Sequence, residues 1–255
     1  MTKALLRFAS VDSRRWIKFI IKCLTTEYKP TEPGEMRMLQ MFQFTIWQKP
    51  FEECGFNNLM DGIYMVKNSP VMCEELVELL KFNYSKIDFV DKPVDVGFDC
   101  PLDLHCTYSR DQIMVAMDFL KPTTVREGVK WLPEKKADIF FITLNKSDKD
   151  YSPTTMYNDY SINDVLFHWQ SQSTTADTSA TGKRYINHVK QGSKILLFVR
   201  EFKADKISNS AAPYTYLGTA TYVSHTGSKP MNVVCKLDNP IPAKYLKKTN
   251  KLVVG

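Results

Sequence analysis

The sequence predicts an α+β chain in which a small helical bundle is followed by a mostly β domain. Three observations support this: apolar residues at helical spacing before residue 95, a linker-like run rich in Asp and Pro between residues 84 and 107, and short β-branched and aromatic runs after residue 125. We therefore expect domains at 1–95 and 96–255. With 44% hydrophobic and 24% charged residues, wholesale disorder, collagen and coiled coil are excluded.

Four helices are predicted in the first domain, and a fifth after the linker. The fourth begins at Ser69 and Pro70, which puts proline at its preferred first helical position. Ser109 caps the fifth, over 110–119. The apolar stripes of the first four are Trp16, Phe19, Ile20 and Cys23; Met36, Leu39, Phe42 and Ile46; residues 57–67; and Leu76, Val77, Leu79 and Leu80. Such stripes are typical of core-facing helices.

The second domain is expected to be a sheet or barrel. Buried or β-rich runs predict strands at 137–144, 193–200, 214–224 and 232–237, with a short one at 184–189. One helix is expected to interrupt them. Ser161 to Asp164 match a capping box, and Ile162, Val165, Leu166 and Trp169 would share one face of that helix.

Charge is distributed unevenly along the chain. Residues 1–100 hold 13 basic and 14 acidic residues, whereas residues 180–255 hold 13 basic and 3 acidic. A basic half beside a neutral half indicates a polyanionic partner, most often nucleic acid. The alternative is a basic surface that serves solubility alone.

The motifs of common enzymes are missing, so we expect a non-catalytic chain with no cofactor and no metal. Residues 180–184 lack both the upstream Gly and the following Ser or Thr of a phosphate-binding loop. His188 and Lys190 match the His-x-Lys core of phospholipase-D-type nucleases, but Lys194 stands where that motif needs Asp. The four histidines are scattered, and the aspartates of 84–107 lack EF-hand spacing. A carboxylate pair assembled in three dimensions remains open.

The expected location is the cytoplasm, without membrane contact. No apolar run approaches the roughly 20 residues that span a bilayer, and no signal peptide precedes residue 17. The six cysteines form no CxxC pair and fit a reducing compartment as free thiols.

Residues 145–175 interleave aromatic with polar side chains, which favours a nucleobase pocket. Aromatic planes stack on bases, and Asp159 is placed to accept a hydrogen bond from a cytosine amino group. The predicted pocket residues are Tyr151, Ser152, Thr154, Thr155, Tyr157, Asp159, Tyr160 and Trp169. The alternative is that Trp169 and one or two tyrosines anchor this loop to the core.

Polar and basic residues near this segment are predicted to contact the DNA backbone and bases. Lysine, arginine and the backbone N–H groups of small polar loops bind phosphate. The predicted contacts are His168, Gln170, Ser171, Gln172, Thr174, Lys183, Arg184, Lys190, His225, Ser228 and Lys229.

Several strings resemble a known domain. LPEKKADIFFITLNKSDKDYSPTTMYNDY, LFHWQSQSTT, TGKRYINH, KILLFVRE, PYTYLGTATYVSHTGSKPMNVVCKL and NKLVVG are similar to a C-terminal domain of unknown function that ends many bacterial superfamily-two helicases. The resemblance runs from about residue 100 to 255. FASVDSRRW and EMRMLQMFQFTIW resemble the helical segment that precedes it.

The resemblance implies a function. Its relatives include modification-dependent (type IV) restriction enzymes of the SauUSI kind, in which this domain recognises the target through an SRA-like (PUA-type) barrel. SRA-like domains flip a modified base into an aromatic pocket. The implied partners are duplex DNA with 5-methyl- or 5-hydroxymethylcytosine, and helicase and nuclease domains of the same or a partner chain. We expect either a piece of a longer protein or a stand-alone reader, because helicase and nuclease motifs are missing.

Two rival functions are also considered. One is a non-catalytic interaction or regulatory domain that docks on a helicase motor. The other is a hydrolase acting on nucleic acid, which predicts metal-dependent cleavage by this chain alone.

Overall fold

The computed structural model describes residues 2–145, 159–205 and 210–249. The chain divides into two compact units, residues 1–126 and 127–255, which we call the helical unit and the sheet unit. The sequence suggested a boundary at 95/96 instead, because the Asp- and Pro-rich run of 84–107 resembles a linker. In the structure this run belongs to the helical unit, where Asp91 forms an ion pair with Arg14 and Asp103 forms one with Arg15.

The helical unit contains six α-helices among its described residues, as the spacing of apolar residues predicted for five of them. Ser13 caps α2, and its hydroxyl accepts a hydrogen bond from the Trp16 N–H at 3.1 Å. Proline stands in the first turn of α3 and α5. The helices are α1 (Thr2–Leu6), α2 (Arg14–Thr25), α3 (Pro33–Trp47), α4 (Met60–Lys67), α5 (Pro70–Lys86) and α6 (Arg110–Ala116). A two-residue strand, β1 (Thr107–Tyr108), precedes α6.

One carboxyl group of the helical unit is held in an environment that disfavours its charge. Burial raises the pKa of Asp12 from its ordinary value of 3.8 to about 7, and the negative charge of Asp91 adds to the rise. The Thr107 N–H donates to Asp12 Oδ1 at 2.7 Å, which favours the carboxylate but does not offset burial.

Replacing Asp12 with Asn should make the helical unit less sensitive to pH. A raised pKa contributes stability that is complete below pH 3.8 and is lost as the pH rises through about 7. The amide keeps the acceptor for Thr107 and carries no charge. We expect Asp12→Asn to affect the free energy of unfolding of this unit more favourably at pH 8 than at pH 4.5. The difference between the two effects should be roughly 2 kcal/mol. Hydrogen exchange of α2 amides at both pH values measures this, and an equal effect at both would contradict it.

Among its described residues, the sheet unit contains seven strands that form one mixed sheet. Their order is β2-β3-β6-β7-β8-β5-β4. The β3–β6 pair is parallel, and the other five neighbouring pairs are antiparallel. The strands are β2 (Val129–Leu132), β3 (Ala137–Thr143), β4 (Tyr160–Ser161), β5 (Leu166–Gln170), β6 (Lys194–Arg200), β7 (Tyr214–Thr226) and β8 (Asn232–Leu237), with helices α7 (Ala180–Asn187) and α8 (Ala243–Thr249).

The predicted α+β class is confirmed, but the closed barrel is not. Among the described residues, β2 pairs with β3 and β4 pairs with β5, and no ladder joins β2 to β4. The sheet is therefore open. Short β-rich runs in the sequence are equally typical of open and closed sheets, because closure depends on which edge strands pair.

The helix predicted to start at Ser161 is wrong, because β4, a tight turn and β5 occupy that segment. Phe167 and Trp169 are buried whereas Leu166, His168 and Gln170 are half-buried, which is the two-residue period of a strand. The Asn163 side chain accepts from the N–H groups of Val165 and Leu166 and turns the chain.

The strand predicted over 184–189 is also wrong. Helix α7 covers most of it, and the Ser179 hydroxyl caps that helix by accepting from Gly182 N–H at 3.0 Å. Gly182 is required there, since a Cβ would lie 2.1 Å from the carbonyl oxygen of Ala176. The Ser179 cap and the close packing of Gly182 against the Ala176 carbonyl favour a helix here, although Tyr185 and Ile186 themselves prefer strands.

One face of the sheet covers the hydrophobic core of this unit. Phe140, Leu197, Val233 and Trp169 from four strands and Tyr185 from α7 all lie in this cluster. We call this side the core face.

No helix within the described ranges is both long and apolar enough to cross a membrane.

Candidate functional site

The side of β4, β5 and β8 opposite the core is polar and partly accessible. Alternation along β5 and β8 sends every second side chain away from the core cluster. We call this surface the outer face, and it consists of Tyr160, Leu166, His168, Gln170, Asn232, Val234 and Lys236. Lys236 is exposed and the other six are half-buried.

Two side-chain pairs organise the outer face. Tyr160 and His168 are directly opposite on β4 and β5, and their rings stack with centroids 4.7 Å apart and planes 16° apart. Gln170 Nε2 donates to Asn232 Oδ1 at 3.1 Å, across the β5–β8 pair. The face thus presents flat aromatic surface beside amide groups that are both donors and acceptors.

Asp159 lies at the start of this arrangement but points inward. Its side chain is 2% exposed, and Oδ1 accepts from the Gln170 N–H at 2.9 Å. This bond fixes the end of β5 against the residue that precedes β4. In this structure Asp159 therefore positions Tyr160 and Gln170.

Trp169 belongs to the core face. It is 5% exposed, and its ring lies 4.2 Å from that of Phe140 and 5.4 Å from that of Tyr185, measured between centroids. This geometry agrees with the alternative in which Trp169 anchors the segment. The five other predicted pocket residues, Tyr151, Ser152, Thr154, Thr155 and Tyr157, lie outside the described residues.

Two loops meet at the end of β5 and β8, and they contain several predicted DNA contacts. Ser171 N–H donates to the Met231 carbonyl, and Met231 N–H donates back to Ser171 Oγ, both at 2.9 Å. The Lys229 N–H donates to the Thr175 carbonyl. Ser171 is fully buried and pins the loops, while Thr174, Ser228 and Lys229 are exposed. The Thr175 hydroxyl donates a hydrogen bond to Gln172 Oε1 at 3.2 Å.

His225 joins these loops through a short polar chain. The Tyr222 hydroxyl and His225 Nδ1 are 2.7 Å apart, and His225 Nε2 lies 3.9 Å from Asp177 Oδ2. The Ser228 hydroxyl donates to Asp177 Oδ1 at 2.9 Å and holds the pKa of that carboxyl below its usual range. Asp177 was missed by the sequence reasoning, since it lies in a turn that has no motif.

The basic residues of α7 differ in their surroundings. Lys183 and, beyond the helix, Lys190 are exposed. Arg184 instead forms a two-pronged ion pair with Asp138 of β3, Nε and Nη2 each 2.8 Å from a carboxylate oxygen, and it lies over the Trp131 ring. Burial raises the pKa of Asp138, and the Arg184 guanidinium opposes that rise.

His188 is a structural residue. Its ring is 3% exposed, with Nδ1 lying 3.1 Å from the Ser193 carbonyl and Nε2 accepting from the Tyr222 N–H at 3.0 Å. Nδ1 faces a carbonyl and Nε2 faces an N–H, and these two contacts hold the ring in place. Both ring nitrogens of His188 are therefore engaged in contacts within the sheet unit.

The structure brings Tyr160, a predicted pocket residue, together on one surface with His168 and Gln170, two predicted DNA contacts, and adds Asn232 and Lys236. These two were missed because β8 was noted only for its β-rich composition. Its alternation, with Asn232, Val234 and Lys236 on one side, was the available signal. Within the described parts of the chain, no three His, Cys, Asp or Glu side chains are grouped to hold a metal ion.

Comparison with known proteins gives one family. A family model described as Domain of unknown function (DUF3427) matches residues 102–248, which is more than half of the chain. No curated protein matches the chain.

Proposed function

The chain belongs to the family described as Domain of unknown function (DUF3427), and from this premise we propose that it is a DNA-binding target-recognition module. In the proposal it reads 5-methyl- or 5-hydroxymethylcytosine in duplex DNA, in the manner of SRA-like domains. It would act within an ATP-dependent, modification-dependent restriction system whose helicase and nuclease domains lie on the same or a partner chain.

The observation that supports this proposal most is the paired arrangement on the outer face. A stacked Tyr160–His168 pair lies beside the hydrogen-bonded Gln170 and Asn232 amides. Aromatic planes bind bases by stacking, and side-chain amides bind base edges. A sheet surface that serves solubility alone does not need this combination.

Charge supports the same partner. Residues 180–255 have 13 basic and 3 acidic residues, and Lys183, Lys190, Lys229 and Lys236 are exposed. Lysines of this kind attract phosphate and make affinity salt-dependent. Arg184 contributes less to that attraction because Asp138 already neutralises it.

Energetics fit base recognition through a small number of contacts. Extruding a base costs a few kcal/mol, and stacking returns about 1–3 kcal/mol per aromatic contact. A single buried methyl adds only about 0.8 kcal/mol. Strong discrimination against plain cytosine therefore requires a close-fitting niche or amplification by the motor.

Replacing Tyr160 with Ala should weaken binding to the preferred modified duplex about tenfold, equivalent to about 1.4 kcal/mol. Plain duplex should lose less than twofold, since the phosphate contacts remain. Competition binding at fixed salt measures both affinities. Tyr84→Ala is the matched control, because this half-buried tyrosine of α5 lies in the helical unit. Equal loss on both duplexes would remove Tyr160 from base recognition.

A second function, docking on a helicase motor, is favoured by one feature of the helical unit. Val71 and Phe82 of α5 are 73% and 58% exposed and lie about three helical turns apart, which places them on one side of that helix. Two exposed apolar side chains on one side of a helix fit a contact with a protein partner, and the exposed Glu75 and Glu78 lie between them. Binding to the motor that persists without any affinity for DNA at low salt would favour this function.

A further inference from the structure

The His-x-Lys string lies in a closed turn between α7 and β6. We call residues 188–193 the His188 turn. The Ser193 N–H donates to the His188 carbonyl at 2.8 Å and closes the turn. Gly192 has a φ of 63°, in the left-handed region that glycine enters without strain. The backbone from which the exposed Lys190 extends is therefore fixed.

His188 attaches this turn to β7. The β6–β7 ladder begins at the Ile195–Ala220 pair, so the Tyr222 N–H lies beyond it and has no strand partner from β6. His188 Nε2 accepts from this N–H at 3.0 Å instead. The register of β7 against β8 shifts between Tyr222 and Ser224, at the same place. Such bulges are frequent next to functional sites, where they re-aim side chains.

A second turn with an exposed lysine lies beside the first. The N–H of Lys194, which follows the His188 turn, donates to the Lys136 carbonyl at 2.8 Å. Lys136 is exposed and has a φ of 46°, in the region that favours glycine. Glycine at this position would relax the backbone but would carry no charge. The two turns thus hold Lys136 and Lys190 at one end of the sheet.

These two lysines lie in a basic surrounding. In the sequence no acidic residue occurs between Asp177 and Glu201. Glu134 is the acidic residue of the second turn. Within the described ranges, neither Lys136 nor Lys190 forms an ion pair. Their ammonium groups are available to an anionic partner.

Two apolar side chains flank the bond that attaches the turn. Val189 follows His188 and is 63% exposed, and Val223 follows Tyr222 and is 50% exposed. In the described part of the sheet unit, these are the large apolar side chains that are exposed. Lysines beside apolar groups fit the DNA backbone, in which charged phosphates alternate with deoxyribose carbons.

The His188 turn borders the outer face on the side away from β4. The outer-face strand β8 pairs with one edge of β7, and the turn precedes β6, which pairs with the other edge. Four strand spacings separate β4 from β6, or about 19 Å. This exceeds the roughly 12 Å width of a major groove. A duplex on the outer face would therefore meet the turn through a phosphate backbone.

We propose that Lys190 and Lys136 contact phosphates of duplex DNA bound on the outer face, and that His188 is the positioning residue that fixes Lys190 for this contact. The inference rests on the proposed function and gives the His-x-Lys string a role without catalysis. Phosphate contacts of this kind set the orientation of a protein on the duplex and do not read its sequence.

The salt dependence of duplex binding by the full chain tests the two lysines. One phosphate contact contributes about 0.9 to the slope of log affinity against log salt, so the affinity loss in Lys190→Ala should be about 3.5-fold larger at 50 mM than at 200 mM salt. Lys136→Gly should have the same effect without loss of stability, because glycine accepts the left-handed backbone. Plain and 5-methylcytosine duplexes should respond alike.

A double-mutant cycle tests the role of His188. His188→Leu removes both ring contacts, and in that background Lys190→Ala should change the slope by less than about 0.4. His188→Gln keeps an acceptor for the Tyr222 N–H and should restore the effect of Lys190→Ala. All slopes are measured at a temperature where circular dichroism shows each variant folded. Equal effects of Lys190→Ala in the wild-type and His188→Leu backgrounds would overturn the positioning role.

Lys29→Ala is the matched control, since this exposed lysine lies in a loop of the helical unit, and it should leave the slope unchanged. An unchanged slope in both Lys190→Ala and Lys136→Gly would overturn the inference, and a preference for the modified duplex in the same assay would retain the proposed function. A reduced slope in a protein that binds both duplexes equally would support the lysine contacts and refute the proposed function.

Discussion

Replacing Arg184 with Ala is expected to lower the free energy of unfolding of the sheet unit by about 3–5 kcal/mol. The Asp138 carboxylate is fully buried, and Arg184 gives it two hydrogen bonds of 2.8 Å. Without the guanidinium, a buried charge is left uncompensated. Because such a carboxyl gains a proton more readily, the loss should shrink as the pH falls. Hydrogen exchange of β3 and β6 amides measures the change in this unit.

Lys183 provides the control for this prediction. It precedes Arg184 on α7 but is exposed, so Lys183→Ala should change stability by less than about 0.5 kcal/mol. The same pair separates stability from DNA binding. Lys183→Ala should weaken binding to plain and modified duplexes alike and reduce the salt dependence. If Arg184→Ala leaves the exchange rates of β3 unchanged, the ion pair has no structural role.

Replacing Trp169 with Ala should cost the sheet unit a similar amount, about 3–5 kcal/mol, because it leaves a large cavity in the core. Trp169 is 5% exposed and contacts Phe140 and Tyr185. At a temperature where the variant remains folded, its preference for modified over plain duplex should be retained. Denaturant unfolding and competition binding measure the two effects separately.

Trp169→Phe is the milder comparison and should cost less, since an aromatic ring still fills the site. Loss of preference in Trp169→Ala without loss of stability would place this side chain in a base pocket after all. Tyr160→Ala is expected to behave in the opposite way, with reduced preference and little loss of stability.

Several elements were predictable because their sequence pattern has one physical interpretation. The run at 137–143 is mostly apolar and rich in β-branched and aromatic residues, and the strand there is buried at every position. In helix α5, proline in the first turn and the apolar stripe around Leu76 and Leu80 agreed, and both are observed.

The segment 160–170 was misassigned because its apolar residues satisfy two periods at once. Ile162, Val165, Leu166 and Trp169 fit a helix, whereas Phe167 and Trp169 fit a strand. Pairing of β5 with β8 decides between them, and this contact joins residues far apart in sequence. Local pattern holds no information on such pairing.

The candidate site was only partly predictable, because sequence shows which residues are near each other along the chain but not which distant residues come into contact. Tyr160 and His168 are close in sequence, so their grouping was visible. Asn232 reaches Gln170 across a separation of 62 residues, and Asp138 reaches Arg184 across 46. From the sequence alone, Arg184 was therefore assigned to phosphate contact, because its ion pair with Asp138 is not visible there.

Competition binding with one short duplex in four forms tests the central claim most directly. The forms carry plain cytosine, 5-methylcytosine, 5-hydroxymethylcytosine or phosphorothioate linkages, at a fixed moderate salt concentration. The account predicts a preference of tenfold or more, about 1.4 kcal/mol, for 5-methyl- or 5-hydroxymethylcytosine. Equal and salt-sensitive binding of all four forms would contradict it. The chain would then bind DNA through its basic residues without recognising a modification.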